Sequence, residues 1–153
     1  MTAPKKRPLP PVRRDYPRFF AMETRWNDMD LYGHVNNVVY LEYFDSALNR
    51  ALIEADALDL LGETGPIGLV ASNSTDYFSE LSYPATLTIG VRVERIGTTS
   101  LNWGFAVFRG DEEIAAAKGV YVHVYVDRLT RKPVPLTPAL RAVADRLLTP
   151  AAQ

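Results

Sequence analysis

The sequence predicts an α+β fold in which one long amphipathic helix packs on a single antiparallel sheet of about five strands. Apolar residues recur at helical spacing along one segment that begins near Asn37, and Phe44 and Leu48 lie on its apolar face. Strand-like runs separated by turn sequences follow this segment. A lone long helix must bury its apolar stripe against the sheet, because nothing else is available to cover it. One face of the sheet stays partly uncovered, which favours dimerisation.

Residues 1–17 are predicted to form a flexible basic arm. The arm contains five prolines, which remove backbone donors and disfavour both helix and central strand. Five positive charges and no acid lie within its first fourteen residues, at Lys5, Lys6, Arg7, Arg13 and Arg14. Because the chain has a net charge of −1, these cations leave −6 on the remainder. The arm could touch an anion, although a solvated terminus is the simpler interpretation. The acidic remainder argues against nucleic-acid binding.

The remaining residues, 18–149, are predicted to form one domain. A first strand is expected at 19–26, and the long helix is predicted to end near residues 60–62. Four further strands are predicted to follow one another in hairpin-like order, at residues 67–78, 85–96, 100–109 and 114–126. The segment LRAVADRLL then predicts a short closing helix.

Composition excludes several classes of protein. The absence of cysteine removes disulfides, thiolate metal sites and a cysteine nucleophile, and it favours an intracellular compartment. No run reaches the ~18 apolar residues of a membrane span, and no signal peptide follows the basic start, so a cytoplasmic protein is expected. G-x-S-x-G is absent, and the two histidines, His34 and His123, lie far apart in sequence. A serine hydrolase and a metal enzyme are therefore disfavoured, and His123 is predicted to be a sheet residue.

The segment NDMDLYGHVNN, before the helix, carries the predicted chemistry. Asp30 lies seven residues before Asn37, and Gly33 between them allows an unusual backbone turn. The first turn of a helix has free N–H groups that can polarise a carbonyl or hold an oxyanion. A carboxylate beside such donors suits the hydrolysis of an activated ester. On these residues alone, a simpler role in capping and turns stays open for Asp28, Asp30, Asn36 and Asn37.

WNDMDLYGHVNNVVYLEYFDSA resembles the signature of the 4-hydroxybenzoyl-CoA thioesterase-like branch of the hot-dog superfamily, in which D-x-D-x-x-G precedes a long central helix. The stretch is also similar to the active segment of plant acyl-ACP thioesterases, D-x-N-x-H followed by V-N-N. In element order the resemblance extends over residues 19–137. It implies a hot-dog fold and cofactor-free hydrolysis of an acyl-CoA or acyl-ACP, in which coenzyme A is part of the substrate. A non-catalytic acyl-CoA binding module is the alternative. Such a module is expected to have an added DNA-binding region or to have lost the carboxylate, whereas Asp30 is present.

The resemblance assigns roles to three residues. Asp30 matches the general base or nucleophile, and Asn37 matches the helix-start position whose N–H polarises the thioester carbonyl. His34 matches the histidine of D-x-N-x-H, which assists proton transfer or orients the water. Tyr32 stands where the acyl-ACP pattern has Asn, and Asn37 stands where another bacterial branch has a second histidine. These departures leave the detailed role of His34 open.

Substrate contacts are expected from two further places. In the family a residue of the strand after the helix reaches the active site of the partner subunit, so Asn73 and Ser74 are candidates, although edge exposure explains them equally well. Five aromatic residues could line an acyl pocket, although aromatic residues at these spacings are core residues first: Tyr40, Tyr43, Phe44, Tyr77 and Phe78. A homodimer, or a tetramer of two such dimers, is expected. Coenzyme A phosphates need basic residues, for which the candidates are Arg92, Lys118, Arg128, Arg131 and Lys132.

Overall fold

A computed structural model describes residues 3–59 and 62–150 of the chain. Within these residues one long helix packs against a five-stranded antiparallel sheet. The strands are β1 (Arg18–Glu23), β2 (Ile67–Tyr77), β3 (Thr86–Ile96), β4 (Ser100–Arg109) and β5 (Ala117–Val126). The helices are α1 (Asn37–Glu54) and α2 (Pro138–Leu147), with 3₁₀ turns at Arg13–Asp15 and Trp26–Asp28. The predicted α+β hot-dog fold is confirmed.

The strand order is β1-β3-β4-β5-β2, which corrects one part of the prediction. Strands β3, β4 and β5 pair consecutively as expected, but β2 pairs with β5 and not with β3. The physical reason lies in the connection 78–85, which crosses the end of the sheet instead of closing a tight hairpin. Leu81 in this connection is only 1% exposed and belongs to the main core. At the far end of the connection, the N–H of Thr24 donates to the carbonyl of Ala85, beside β1.

Helix α1 is held tightly on the sheet. The ring of Phe44 stacks on that of Phe105, with 5.2 Å between the ring centroids. Phe44 also lies against Gly119 of β5, where an added Cβ would come within 2.4 Å of the ring. Only glycine permits so close an approach of helix and strand. The hydroxyl of Tyr121 donates to the carbonyl of Leu41 at 3.0 Å, so the first half of α1 has a fixed position relative to the sheet.

The end of α1 differs from the prediction, because the helix stops at Glu54 and not near residues 60–62. Asp56 has the left-handed conformation, with φ of 51°. Its N–H donates to the carbonyl of Ile53, and the N–H of Ala57 donates to that of Leu52, which together cap the helix. Residues 60 and 61 lie outside the described part of the chain. Among the helices described, none is both long and apolar enough to cross a membrane.

The second half of the predicted arm contacts the sheet. Val12 forms an isolated β-bridge with Ile114, and the guanidinium of Arg13 donates to the carbonyl of Gly110 at 2.6 Å. Tyr16 is buried against the outer face of the sheet. These contacts attach the second half of the arm to the sheet and to the segment between β4 and β5. The flexibility of the arm and the domain boundary after it stay predictions.

His123 lies in β5 on the face that packs against α1. The side chain is buried, and among the described residues its Nε2 has no hydrogen-bond partner. Burial lowers the pKa of His123 below its ordinary value of 6.5, so the ring is neutral at neutral pH. These surroundings agree with the role predicted for it as a sheet residue.

Candidate active site

A cavity of about 320 Å³ opens at the N-terminus of α1, where three segments of the chain meet. The segments are the loop before α1, the first turn of α1, and the end of β2 with the connection that follows it. The lining residues are Asp30, His34, Val35, Asn37, Tyr40, Tyr77, Phe78, Ser79 and Glu80. Four of the predicted site residues, Asp30, His34, Asn37 and Tyr40, therefore share one cavity.

The loop holds Asp30 by bonds to its own backbone. The N–H of Asp30 donates to the carbonyl of His34 at 2.9 Å, and the N–H of Gly33 donates to the carbonyl of Asp30 at 3.1 Å. One carboxylate oxygen, Oδ1, accepts the N–H of Tyr32 at 2.9 Å. In the described part of the chain no hydrogen bond is made to Oδ2. The carboxylate is thus oriented by one oxygen, and the other is available to a water or a substrate.

Gly33 makes this loop possible, and the Gly33→Ala variant is expected to lose about 1 kcal/mol of stability and part of its activity. The residue has φ of +76°, in the left-handed region that L side chains rarely adopt. An added Cβ would meet no atom within 4 Å, so the backbone conformation alone causes the loss. Urea unfolding and thiol-release rates measure it. Gly33→Asn is the matched control and should lose less, because asparagine tolerates this region; equal losses in both variants would contradict the explanation.

Asp28, the first aspartate of the D-x-D pair, anchors the loop to α1. Its side chain is only 1% exposed. The carboxylate accepts the hydroxyl of Tyr43 at 2.7 Å, the backbone N–H of Arg25 at 2.8 Å and the guanidinium Nε of Arg25 at 3.0 Å. Burial opposes ionisation, but these hydrogen bonds outweigh it and hold the pKa of Asp28 below 3.8. The backbone carbonyl of Asp28 also accepts the N–H of Asn36. The first aspartate is therefore structural, and Asp30 is the one that lines the cavity.

The N-terminus of α1 supplies a hydrogen-bond donor. Asn36 caps the helix: its side-chain oxygen accepts the N–H of Val38 at 3.0 Å, and its carbonyl accepts the N–H of Val39 at 2.9 Å. The N–H of Asn37 has no acceptor among residues 3–59 and 62–150. The helix dipole adds partial positive charge at this end. The Asn37 N–H can therefore donate to a carbonyl oxygen placed in the cavity.

Glu80 forms part of the site, although no pattern in the sequence indicated it. Its Oε2 lies 2.9 Å from Nε2 of His34. The connection that carries Glu80 is joined to the loop, because the N–H of Val35 donates to the carbonyl of Leu81 at 2.7 Å. Ser79, on the same connection, also lines the cavity. Only the crossing path of this connection brings these residues to the loop, and its turn-like composition did not indicate that path.

Aromatic side chains form one wall of the cavity. The rings of Tyr40 and Tyr77 meet edge to face, with 5.0 Å between their centroids, and Phe78 lies beside them in the lining. The hydroxyl of Tyr77 donates to the carbonyl of Asn37 at 3.2 Å. Burial, with a smaller effect of neighbouring Tyr77, raises the pKa of Tyr40 to about 12, so its hydroxyl stays protonated at neutral pH. The wall is therefore aromatic and uncharged, which suits an acyl group.

The other two predicted site residues lie outside this cavity in the single chain. Asn73 lines a separate surface cavity of about 330 Å³ together with Leu41 and Tyr121. Ser74 pairs with Val120 and, by the alternation of a strand, is on the opposite face of the sheet. Both residues are exposed on β2. Their contribution to the site of a partner subunit stays a prediction.

Comparison with known proteins gives the family. The family model described as the thioesterase-like superfamily matches residues 24–143, whereas no curated protein matches the chain. The PA5185 protein from Pseudomonas aeruginosa is 41% identical, with a TM-score of 0.89 over 94% of this chain and 99% of its own. A thioesterase superfamily protein from Jannaschia is 26% identical, with a TM-score of 0.79 over 98% of this chain and 100% of its own.

A 1,4-dihydroxy-2-naphthoyl-CoA thioesterase from Synechocystis has a TM-score of 0.76 over 83% of this chain and 94% of its own. At 15% identity this likeness concerns the fold alone. The match to the family model, in contrast, covers most of the chain and includes the loop and α1. The chain belongs to the thioesterase-like superfamily.

Proposed function

We propose that the protein hydrolyses an acyl-CoA to the free acid and coenzyme A in the cavity at the N-terminus of α1. One observation carries the proposal: Asp30 and Asn37 line the same cavity. Asp30 offers a carboxylate, and the N–H of Asn37 has no acceptor in the described part of the chain. A base or nucleophile beside an oxyanion donor is the arrangement that acyl transfer needs. Membership in the thioesterase-like superfamily supports a thioester as the substrate.

The chemistry follows from these two groups. The thioester carbonyl oxygen accepts the N–H of Asn37, which stabilises the negative charge that develops on it. Asp30 either takes a proton from the water that attacks the carbonyl carbon, or attacks that carbon itself to give an acyl-aspartyl anhydride, which water then hydrolyses. In both routes the C–S bond breaks and the thiolate of coenzyme A leaves. Overall, water supplies a hydroxyl to the acyl group and a proton to the sulfur.

His34 and Glu80 are proposed to serve the proton transfers. Nε2 of His34 lies 2.9 Å from the Glu80 carboxylate, so Glu80 fixes the ring and leaves Nδ1 to exchange a proton. A histidine held in this way can donate to the departing thiolate or orient the water. Both residues are only partly covered, so water has access to them in the single chain.

A homodimer through β2 is proposed as the working assembly. β2 is an edge strand, and nine of its eleven residues are exposed, among them the apolar Leu69 and Val70. A long edge strand with unpaired backbone groups and exposed apolar side chains promotes association with another chain. Pairing along β2 would bring Asn73 and Ser74 of one subunit to the other. Sedimentation that shows only monomer at micromolar concentration would contradict this assembly.

The proposed reaction is tested by the release of free thiol from purified protein. The substrates are a panel of short, medium, long and aromatic acyl-CoAs, with the same acyl groups on acyl carrier protein. Turnover of one or more acyl-CoAs is the expected result, and the panel then identifies the acyl class. Binding of acyl-CoA by calorimetry without thiol release would instead indicate a binding module. Turnover of the acyl carrier protein substrates alone would mean that the substrate is an acyl-ACP and not an acyl-CoA.

A further inference from the structure

Arg7 of the basic arm contacts two residues of the cavity wall, Tyr77 and Phe78. Its guanidinium donates to the backbone carbonyl of Tyr77, and its Cζ lies 5.8 Å from the centroid of the Phe78 ring. Tyr77 and Phe78 both line the cavity. Lys5 and Lys6 directly precede Arg7, and two residues of extended chain span at most about 7 Å. Three exposed cations are therefore close to the cavity rim.

The charge of the cavity itself has the opposite sign. Asp30 and Glu80 line it, and within the described residues no lysine or arginine does. Arg109 donates to the carbonyl of Glu80, but it forms an ion pair with Glu112 at 2.9 Å, which offsets its charge. A polyanion such as coenzyme A is repelled by this acidic surface unless cations stand at the entrance. The arm supplies such cations.

Two other basic candidates differ in their surroundings. Arg92 is only 4% exposed and forms an ion pair with Glu94 at 2.7 Å, so a phosphate cannot reach it from solvent. Lys118 is directly opposite Asp76 in the pairing of β5 with β2, so a carboxylate adjoins it. Arg92 is therefore not a suitable phosphate ligand, and Lys118 is a weaker candidate than an isolated cation because a carboxylate lies opposite it.

The remaining candidates lie at the wrong end of the sheet within one chain. Arg128, Arg131 and Lys132 follow the end of β5 at Val126, whereas the cavity adjoins the beginning of β5, where Ala117 pairs with Tyr77. Ten residues of strand separate these ends by about 30 Å. The arm is therefore the cluster of basic residues from which a side chain, that of Arg7, contacts two residues of the cavity wall in the single chain.

From this placement we propose that Lys6 and Arg7, supported by Lys5, bind the phosphates of coenzyme A while the thioester occupies the cavity. The inference rests on the proposed function and specifies the carrier of the acyl group. The pantetheine arm separates the phosphates from the thioester, so the phosphates belong outside the cavity, at its mouth. Guanidinium and ammonium groups form charge-assisted hydrogen bonds with phosphate oxygens.

The double variant Lys6→Gln/Arg7→Gln tests the proposal against the matched variant Arg131→Gln/Lys132→Gln, which removes the same charge at the opposite end of the sheet. Each variant is assayed with an acyl-CoA, with the same acyl group on acyl carrier protein, and with the same acyl group on N-acetylcysteamine, which has no phosphate. The arm variant should raise KM for the acyl-CoA about tenfold, as expected for the loss of two partly exposed charge contacts. Its kcat and its KM for the short thioester should not change. Added salt should reduce the difference.

Three results would overturn the proposal. An equal rise of KM for both thioesters would mean that the arm shapes the cavity and binds no phosphate. A larger effect in the Arg131→Gln/Lys132→Gln variant would assign the phosphates to the other end of the sheet. A rise confined to acyl carrier protein substrates would make the arm a docking site for that protein.

If the wild type releases no thiol from any substrate, the proposed function fails instead. Calorimetry with free coenzyme A still tests the arm in that case. The Lys6→Gln/Arg7→Gln variant should bind coenzyme A about tenfold more weakly than the wild type.

Discussion

The Asp30→Asn variant is expected to lose at least about a hundredfold in kcat for acyl-CoA hydrolysis, the low end for removal of a general base. Asparagine neither accepts a proton from water nor attacks the thioester. Its side-chain oxygen can still accept the N–H of Tyr32, so the loop keeps its shape. The free energy of unfolding should therefore change little. Thiol release at saturating substrate, with urea unfolding of the same preparation, measures both quantities.

Asp145→Asn is the matched control for this prediction. Asp145 is an exposed residue of α2, and its carboxylate lies 3.5 Å from Arg141 in a surface ion pair. Such pairs contribute at most about 1 kcal/mol to stability. Because Asp145 does not line the cavity, the kcat of this variant should equal that of the wild type. An Asp30→Asn variant that keeps more than half of the wild-type kcat would return Asp30 to the role of a turn residue.

The Asp28→Ala variant is expected to lose about 3 kcal/mol of stability. The substitution leaves the buried hydroxyl of Tyr43 without its acceptor and releases Arg25 from the loop. Because hydrogen bonds hold the pKa of Asp28 below 3.8, the ionised carboxylate stabilises the fold above that pH, and this contribution disappears as the pH falls through the pKa of the folded state. Urea unfolding of wild type and variant should therefore differ most near neutral pH and converge in acid.

Tyr43→Phe separates the parts of this effect. It removes one hydrogen bond and leaves Asp28 with both donors of Arg25, so the expected loss is only about 1 kcal/mol. A loss as large as that of Asp28→Ala would show that packing of the tyrosine, and not the carboxylate, holds the loop. The two aspartates should thus give opposite results, since Asp30→Asn removes activity and Asp28→Ala removes stability.

Local patterns were sufficient to predict most of the fold. The start of α1 at Asn37 was correct because Asn36 is a capping residue and the apolar period begins directly after it. The bounds of β4 were correct because turn sequences flank it on both sides. The end of α1 was wrong because an aspartate, Asp56, adopts the left-handed cap conformation usually taken by glycine. Residue type alone gave no stop signal there.

The candidate site divides in the same way into local and distant parts. Asp30, His34, Asn37 and Tyr40 lie within eleven consecutive residues of the chain, so one motif could predict all of them. Glu80 comes to the loop only because β2 pairs with β5 and its connection must cross the end of the sheet. Strand order is a long-range property that hydrophobic periodicity does not encode. The Arg7 contact with Tyr77 is equally distant in sequence and could not be foreseen from charge alone.

The most direct test of thioester hydrolysis at this cavity is a crystal structure of the Asp30→Asn variant with an acyl-CoA selected from the panel. The expected result is a thioester carbonyl oxygen about 3 Å from the N–H of Asn37, with the acyl group beside Tyr40 and the phosphates near Arg7. An acyl-CoA bound elsewhere, for example in the cavity lined by Arg18 and Val143 between α1 and α2, would contradict the proposed site.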